Sequence, residues 1–79
     1  MKEEIISIIQ DINPYIDITD DMDLIEEDVL DSIGIVLLMQ QLEEAFGVSI
    51  PQESVEVSDF KSIDTIIDLI EGLSEKKEN

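Results

Sequence analysis

Apolar residues recur at the spacing of an α-helix in three stretches of this chain. The first stretch is a stripe of isoleucines with polar residues on its other side: Ile5, Ile6, Ile8, Ile9 and Ile12. Repeats of three and four residues are typical of a helix with one buried side. Pro14 disfavours helical geometry at the preceding residue, so we expect this helix to end near Asn13.

The second stretch predicts a helix from about Ser32 to Phe46, followed by Gly47, a residue typical of the position just past a helix end. At about 100° per residue, the predicted core face comprises Ile35, Leu38, Met39, Leu42, Ala45 and Phe46. The outward side comprises Ile33, Leu37, Gln40, Gln41 and Glu44, with Val36 and Glu43 on one flank. Two large apolar residues, Ile33 and Leu37, are therefore expected near solvent.

The third stretch predicts a last helix that Ser62 can cap, with Asp64 in its first turn. Its apolar stripe comprises Ile63, Ile66, Ile67, Ile70 and Leu73, and Lys76 and Lys77 are placed to favour its end. Between Gln52 and Phe60 the sequence allows one short helix, with core contacts from Val55, Val57 and Phe60. Val48 to Ile50 is interpreted as loop, because no second strand pattern exists to pair with it.

From Pro14 to Asp31 no period persists, but apolar residues are frequent enough to attach an ordered loop to the helices. A short helical turn is possible near Asp23 to Glu27. The sequence thus predicts an all-α fold: a small four-helix bundle of three main helices and one short helix, with a long ordered loop between helices one and two. With 79 residues, positions 1–79 should form a single domain.

Charge narrows the possible partners. Four Lys and 21 Asp plus Glu give a formal net charge of -17, which repels nucleic acid and anionic membranes and attracts basic protein surfaces. The start of the chain lacks the apolar region of a signal peptide, and no apolar run approaches the roughly 20 residues needed to span a bilayer. We therefore expect a cytoplasmic, monomeric protein that does not insert into membranes.

Composition also argues against catalysis. The chain has no Cys and no His, so Ser32 has no histidine base to activate it and lacks the Gly-x-Ser-x-Gly turn of a nucleophile. The acidic loop differs from a calcium-binding EF-hand, because a loop starting at Asp17 has Met22 where the turn needs Gly and Asp28 where the last ligand is normally Glu. We expect no enzyme activity and no dedicated metal site.

The remaining candidate is the start of the second helix. Either Asp31 or Ser32 can cap it by accepting backbone N–H bonds, and the Asp31 charge suits the positive end of the helix dipole. The segment Leu30-Asp31-Ser32-Ile33, followed by the amphipathic helix, Phe46-Gly47-Val48-Ser49-Ile50-Pro51 and the Phe60-Lys61-Ser62-Ile63 entry to the last helix, resembles the acyl carrier protein family. The resemblance extends from Ile5 to Leu73.

That resemblance implies a function. In the family, the serine matching Ser32 receives 4'-phosphopantetheine from a transferase that uses coenzyme A, and the thiol of this arm then holds acyl groups as thioesters. Asp31 accompanies the attachment serine. Partners implied are the phosphopantetheinyl transferase and acyl or aminoacyl ligases and synthases with basic docking surfaces. The predicted partner-binding residues are Ile33, Leu37, Gln40, Gln41, Glu43 and Glu44.

Three functions stay open at this point. The first is an acyl carrier in fatty-acid, polyketide or related biosynthesis. The second is a D-alanyl or aminoacyl carrier, because the positions matching Gly34 and Leu37 are usually acidic in fatty-acid carriers and the run from Leu24 to Gly34 looks more like D-alanyl and specialised stand-alone carriers. The third, of another class, is an unmodified acidic helical adaptor for a basic partner.

Overall fold

Three α-helices and one short 3₁₀ helix make up the regular structure of the described residues. The computed structural model describes residues 1–78, with side chains through Ser74. The elements are α1 (Lys2–Ile12), α2 (Ser32–Phe46), the 3₁₀ helix (Val57–Phe60) and α3 (Ile63–Glu78). No strand occurs within this described part. The predicted all-α fold, with three main helices and one short helix, is confirmed.

Helix α1 forms and ends as its sequence indicates. Its isoleucine stripe faces the core, with Ile5 and Ile9 fully buried. The Asn13 backbone N–H donates to the Ile9 carbonyl at 2.9 Å and closes the last turn. Pro14 follows directly, where a residue that cannot continue a helix is favoured.

The loop between α1 and α2 is ordered by hydrogen bonds and by buried side chains. The Glu27 N–H donates to the Asp23 carbonyl at 2.9 Å, which makes the predicted helical turn. The Asp23 side chain accepts from the backbone N–H groups of Ile25 and Glu26 at 3.1 and 2.9 Å and so caps this turn. Leu24 is fully buried beneath it. The loop therefore contributes to the core.

Helix α2 has the predicted bounds, and Leu38, Met39 and Leu42 are its buried apolar residues. It ends where Gly47 adopts left-handed geometry with φ 64°, and the Gly47 N–H donates to the Glu43 carbonyl at 2.9 Å. The prediction was wrong for Ala45, which is exposed. Ala45 lies in the last turn of α2, where its single methyl group is not covered by the core.

The segment from Val48 to the start of α3 is loop followed by the 3₁₀ helix. Val48, Ile50 and Phe60 are buried as their apolar character indicates. The prediction was wrong for Val57, which is 58% exposed. Val57 is the first residue of the 3₁₀ helix and lies at a surface rim with Ile25, so Phe60 provides the buried contact of this turn.

Helix α3 begins with the predicted cap. The Ser62 hydroxyl accepts from the Thr65 N–H at 3.2 Å, and Ile63, Ile66 and Ile70 are fully buried. The side chains of Lys76 and Lys77, predicted to favour the helix end, lie outside the described residues. Buried residues of α1, the loop, α2, the 3₁₀ helix and α3 form one apolar cluster, which fixes the orientation of the start of α2.

Candidate functional site

Ser32 is the first residue of α2, and its neighbour Asp31 caps the helix. The Asp31 Oδ1 atom accepts from the Gly34 N–H at 2.7 Å, and the Asp31 carbonyl accepts from the Ile35 N–H at 2.8 Å. Asp31 itself has extended geometry, with φ −101° and ψ −173°. From the sequence, either Asp31 or Ser32 could be the helix cap. The structure assigns this role to Asp31.

Because Asp31 caps the helix, the Ser32 hydroxyl has no structural task. Ser32 is exposed, and within the described residues its side chain makes no hydrogen bond. Its Oγ atom lies at the positive end of the α2 dipole, where the negative charge of an attached phosphate is favoured. A hydroxyl that is accessible and unpaired fits the covalent attachment of a phosphate-linked arm.

The backbone leading to Ser32 is held in place by contacts from distant parts of the chain. The Leu24 carbonyl accepts from the N–H groups of both Val29 and Leu30 at 3.0 Å, and the Leu24 N–H donates to the Lys61 carbonyl at 2.6 Å. The Asn13 side chain donates to the Val29 carbonyl at 3.2 Å. These bonds connect the end of α1, the loop and the entry to α3, and they fix the position from which Ser32 projects.

Two residues that support the site, Asn13 and Gly34, could not be recognised as such from the sequence. From the sequence alone, Asn13 indicates only a helix end, and Gly34 only a departure from the fatty-acid pattern. Gly34 is buried, and a Cβ atom there would lie 3.2 Å from Asp31 Oδ1 and 3.8 Å from Ile12 Cγ2. The absence of a side chain at Gly34 thus lets the cap and the end of α1 pack closely. A small residue directly inside a capped helix start was the available signal.

An apolar stripe on the outward face of α2 begins next to Ser32. Ile33 is 71% exposed, and Val36 and Leu37 are each 44% exposed. Gln40, Gln41 and Glu44 are also exposed on this helix. Val36, on the predicted flank of this face, is as exposed as Leu37. Exposed apolar side chains next to a modifiable residue are typical of a protein interaction surface.

Glu43 has a structural contact that the other predicted partner residues lack. Its Oε2 atom accepts from the Ile50 N–H at 2.8 Å, and the side chain is partly buried. This bond attaches the loop after Gly47 to the end of α2. Glu43 thus contributes to the fold, and its role in partner binding stays a prediction.

The described part of the chain contains no group of three or more residues that could hold a metal ion. It also contains no helix with the length and apolar character needed to cross a membrane. What the site offers is a free hydroxyl, a fixed helix start and an adjacent apolar stripe.

Comparison with known proteins identifies the class to which this arrangement belongs. Residues 3–72 match the family model described as "Phosphopantetheine attachment site". The chain belongs to this family of carrier domains, which carry 4'-phosphopantetheine covalently and are not themselves catalytic. The resemblance predicted from the sequence is confirmed.

The chain is similar to proteins named D-alanyl carrier protein. The chain is 37% identical over 68 residues to the D-alanyl carrier protein of Lactococcus lactis subsp. cremoris (strain MG1363), which covers 84% of this chain and 86% of that protein. It is 31% identical over 75 residues to the D-alanyl carrier protein 2 of Lactiplantibacillus plantarum, with 92% of each chain covered. The similarity therefore covers most of the length of each chain.

Proposed function

We propose that Ser32 is the attachment residue for 4'-phosphopantetheine and that the loaded cargo is D-alanine, held as a thioester on the thiol of the arm. The exposed, unpaired Ser32 hydroxyl at the start of α2 supports the attachment site. The D-alanyl cargo is supported by the names of the similar proteins. Of the functions left open by the sequence, this is the aminoacyl alternative.

The other two functions have less support. A role in fatty-acid or polyketide biosynthesis shares the carrier domain, but no relative reported above has that name. An unmodified adaptor is disfavoured by membership of a phosphopantetheine family. Because the arm is donated by coenzyme A and amino acids are activated with ATP, we assign the protein to the cytoplasm.

The chemistry requires little from the carrier itself. On the transferase, the Ser32 oxygen bonds to the pantetheine-bearing phosphorus of coenzyme A and the pyrophosphate P–O bond to the adenosine side breaks. Adenosine 3',5'-bisphosphate leaves, and the hydroxyl proton passes to a base of the transferase or to solvent. The arm then supplies a thiol, the nucleophile that a chain without Cys otherwise lacks. This chain's own residues hold the attachment point: Asp31 fixes the helix start, and Leu24 and Asn13 fix the backbone before it.

The identity of the cargo is tested by incubating the protein that carries the arm with two different loading enzymes, in separate reactions. The protein carrying the arm should gain the mass of one alanyl group when incubated with ATP, D-alanine and a D-alanine-activating ligase. Incubation with malonyl-coenzyme A and a malonyl transferase of fatty-acid synthesis should leave its intact mass unchanged. L-Alanine is the matched control for the ligase. Malonyl loading without D-alanyl loading would refute the cargo assignment and leave Ser32 as the attachment residue.

The predicted partner surface is tested at Leu37. Leu37→Ala should slow attachment of the arm roughly tenfold without unfolding the domain, because truncating an apolar anchor in a small interface costs about 1–2 kcal/mol of binding. Glu44→Gln removes a rim charge and should act mainly on the encounter rate at low salt. Intact mass, followed over time, measures the rate of arm attachment. Thermal unfolding measures whether the domain stays folded. Equal attachment rates for Leu37→Ala and the chain without substitutions would show that the stripe is ordinary surface.

A further inference from the structure

A groove runs along the seam between α1 and α2. It encloses about 300 Å³ and is lined by Ile8, Asp11, Ile12, Leu37 and Gln41. The two isoleucines and the leucine supply apolar walls, and each keeps part of its surface accessible. Asp11 and Gln41 supply the polar groups. We refer to this feature as the α1–α2 groove.

The negative charge of Asp11 is not explained by folding. Asp11 lies in the last turn of α1, where the helix dipole favours cations, and this turn contains no basic residue. Within the described residues the Asp11 side chain is exposed and makes no hydrogen bond or ion pair. Its carboxylate thus opposes the dipole of its own helix without a compensating contact.

Among the described side chains, no lysine pairs with Asp11. The lysines whose side chains are described both pair with the loop between α1 and α2. Lys2 Nζ lies 3.3 Å from Asp20 Oδ2, and Lys61 Nζ lies 3.9 Å from Asp23 Oδ2. Neither of these two lysines is therefore available to the α1–α2 groove, and the charge of -17 favours the approach of a basic group from another molecule.

The position of the groove indicates which molecule reaches it. Leu37 and Gln41 follow Ser32 by five and nine residues, or roughly 7.5 and 13.5 Å along a helix that rises 1.5 Å per residue. A transferase must place its reaction centre directly on Ser32, and a specific interface covers about 800 Å² on each partner. The first turn of α2 is too small for such an area, so the covered surface extends beyond it, and the α1–α2 groove begins five residues further along the same helix.

We propose that the α1–α2 groove receives an arginine or lysine side chain of the phosphopantetheinyl transferase, so that α1 is part of the docking surface. The aliphatic stem of that side chain lies against Ile8, Ile12 and Leu37, as long basic side chains commonly cover apolar surface. Its charged head pairs with Asp11. This proposal rests on the attachment of the arm to Ser32 and adds a specific contact on a second helix.

The test compares two charge-neutralising variants. Asp11→Asn should lower kcat/KM for arm attachment by a broad-specificity phosphopantetheinyl transferase roughly fivefold, mainly through KM, because it removes one member of an interfacial charge pair. Its thermal midpoint should stay equal or rise, because a charge opposing the α1 dipole is lost. Glu71→Gln, which changes net charge equally on the exposed side of α3, should alter kcat/KM less than twofold.

Binding is mapped separately on a chain that cannot turn over. In ¹⁵N-labelled Ser32→Ala, unlabelled transferase should shift the amide signals of Ile8, Asp11 and Ile12 together with those of Ile33 and Leu37. Shifts confined to α2, or equal kinetics for Asp11→Asn and Glu71→Gln, would overturn the proposal while attachment at Ser32 stands. A lowered midpoint for Asp11→Asn would also overturn it, because Asp11 would then serve the fold. An unaltered chain that gains no arm refutes both proposals.

Discussion

Replacing Ser32 by alanine should abolish attachment of the arm and leave the fold intact. Asp31 caps α2 in the structure, so the Ser32 hydroxyl contributes no helix-capping bond. Ser32 is exposed, and substitutions at such positions usually change stability by less than about 0.5 kcal/mol. Intact mass after incubation with coenzyme A and a broad-specificity transferase measures attachment. Circular dichroism and the thermal midpoint measure the fold.

Two control variants distinguish the loss of the Ser32 hydroxyl from the loss of another serine and from the loss of the helix cap. Ser49→Ala removes an exposed serine of a loop and should still gain the full mass of one arm. Asp31→Ala removes the cap, which costs about 1 kcal/mol, or about 4–8 °C in the midpoint of a domain this small, but it keeps the reactive oxygen. We expect this variant to be less stable and still modifiable. Mass gain by Ser32→Ala would show that another residue accepts the arm.

The regular elements were predictable because their signals are local. Pro14 and Gly47 end α1 and α2 through their own backbone preferences, and Ser62 caps α3 through a contact three residues away. The apolar stripes then decide which face is buried. Each of these rules depends on residues within one or two turns, so a single sequence contains the information.

The support of the site was harder to predict because its contacts are distant in the chain. Asn13 bonds to Val29, and Leu24 bonds to Lys61, at separations that no helical period describes. Glu43 shows the same limit, because a helical wheel places it on the flank of an outward face but cannot show the Ile50 N–H that it accepts from. Which distant element contacts a given side chain depends on how the helices and loops pack together.

The largest loss of stability is expected at Phe60, which connects the 3₁₀ helix to the core. Its side chain is 1% exposed, and replacing such a Phe by Ala typically costs about 3–5 kcal/mol. At 0.05–0.15 kcal/mol per residue the whole domain has only roughly 4–12 kcal/mol of stability. Phe60→Ala should therefore lower the thermal midpoint by at least about 10 °C or prevent folding.

Phe60→Ala should also disturb the attachment site, because backbone hydrogen bonds connect the two regions. The Lys61 carbonyl next to Phe60 accepts from Leu24, and Leu24 accepts from Val29 and Leu30, which lead into the start of α2. Phe60→Ala should therefore slow arm attachment as well as destabilise the chain. Phe60→Leu, which leaves a smaller void, should restore much of both. Val57→Ala, on the exposed side of the same 3₁₀ helix, should change stability by less than about 0.5 kcal/mol. Equal thermal midpoints for Phe60→Ala and Val57→Ala would contradict the role of Phe60 in the core.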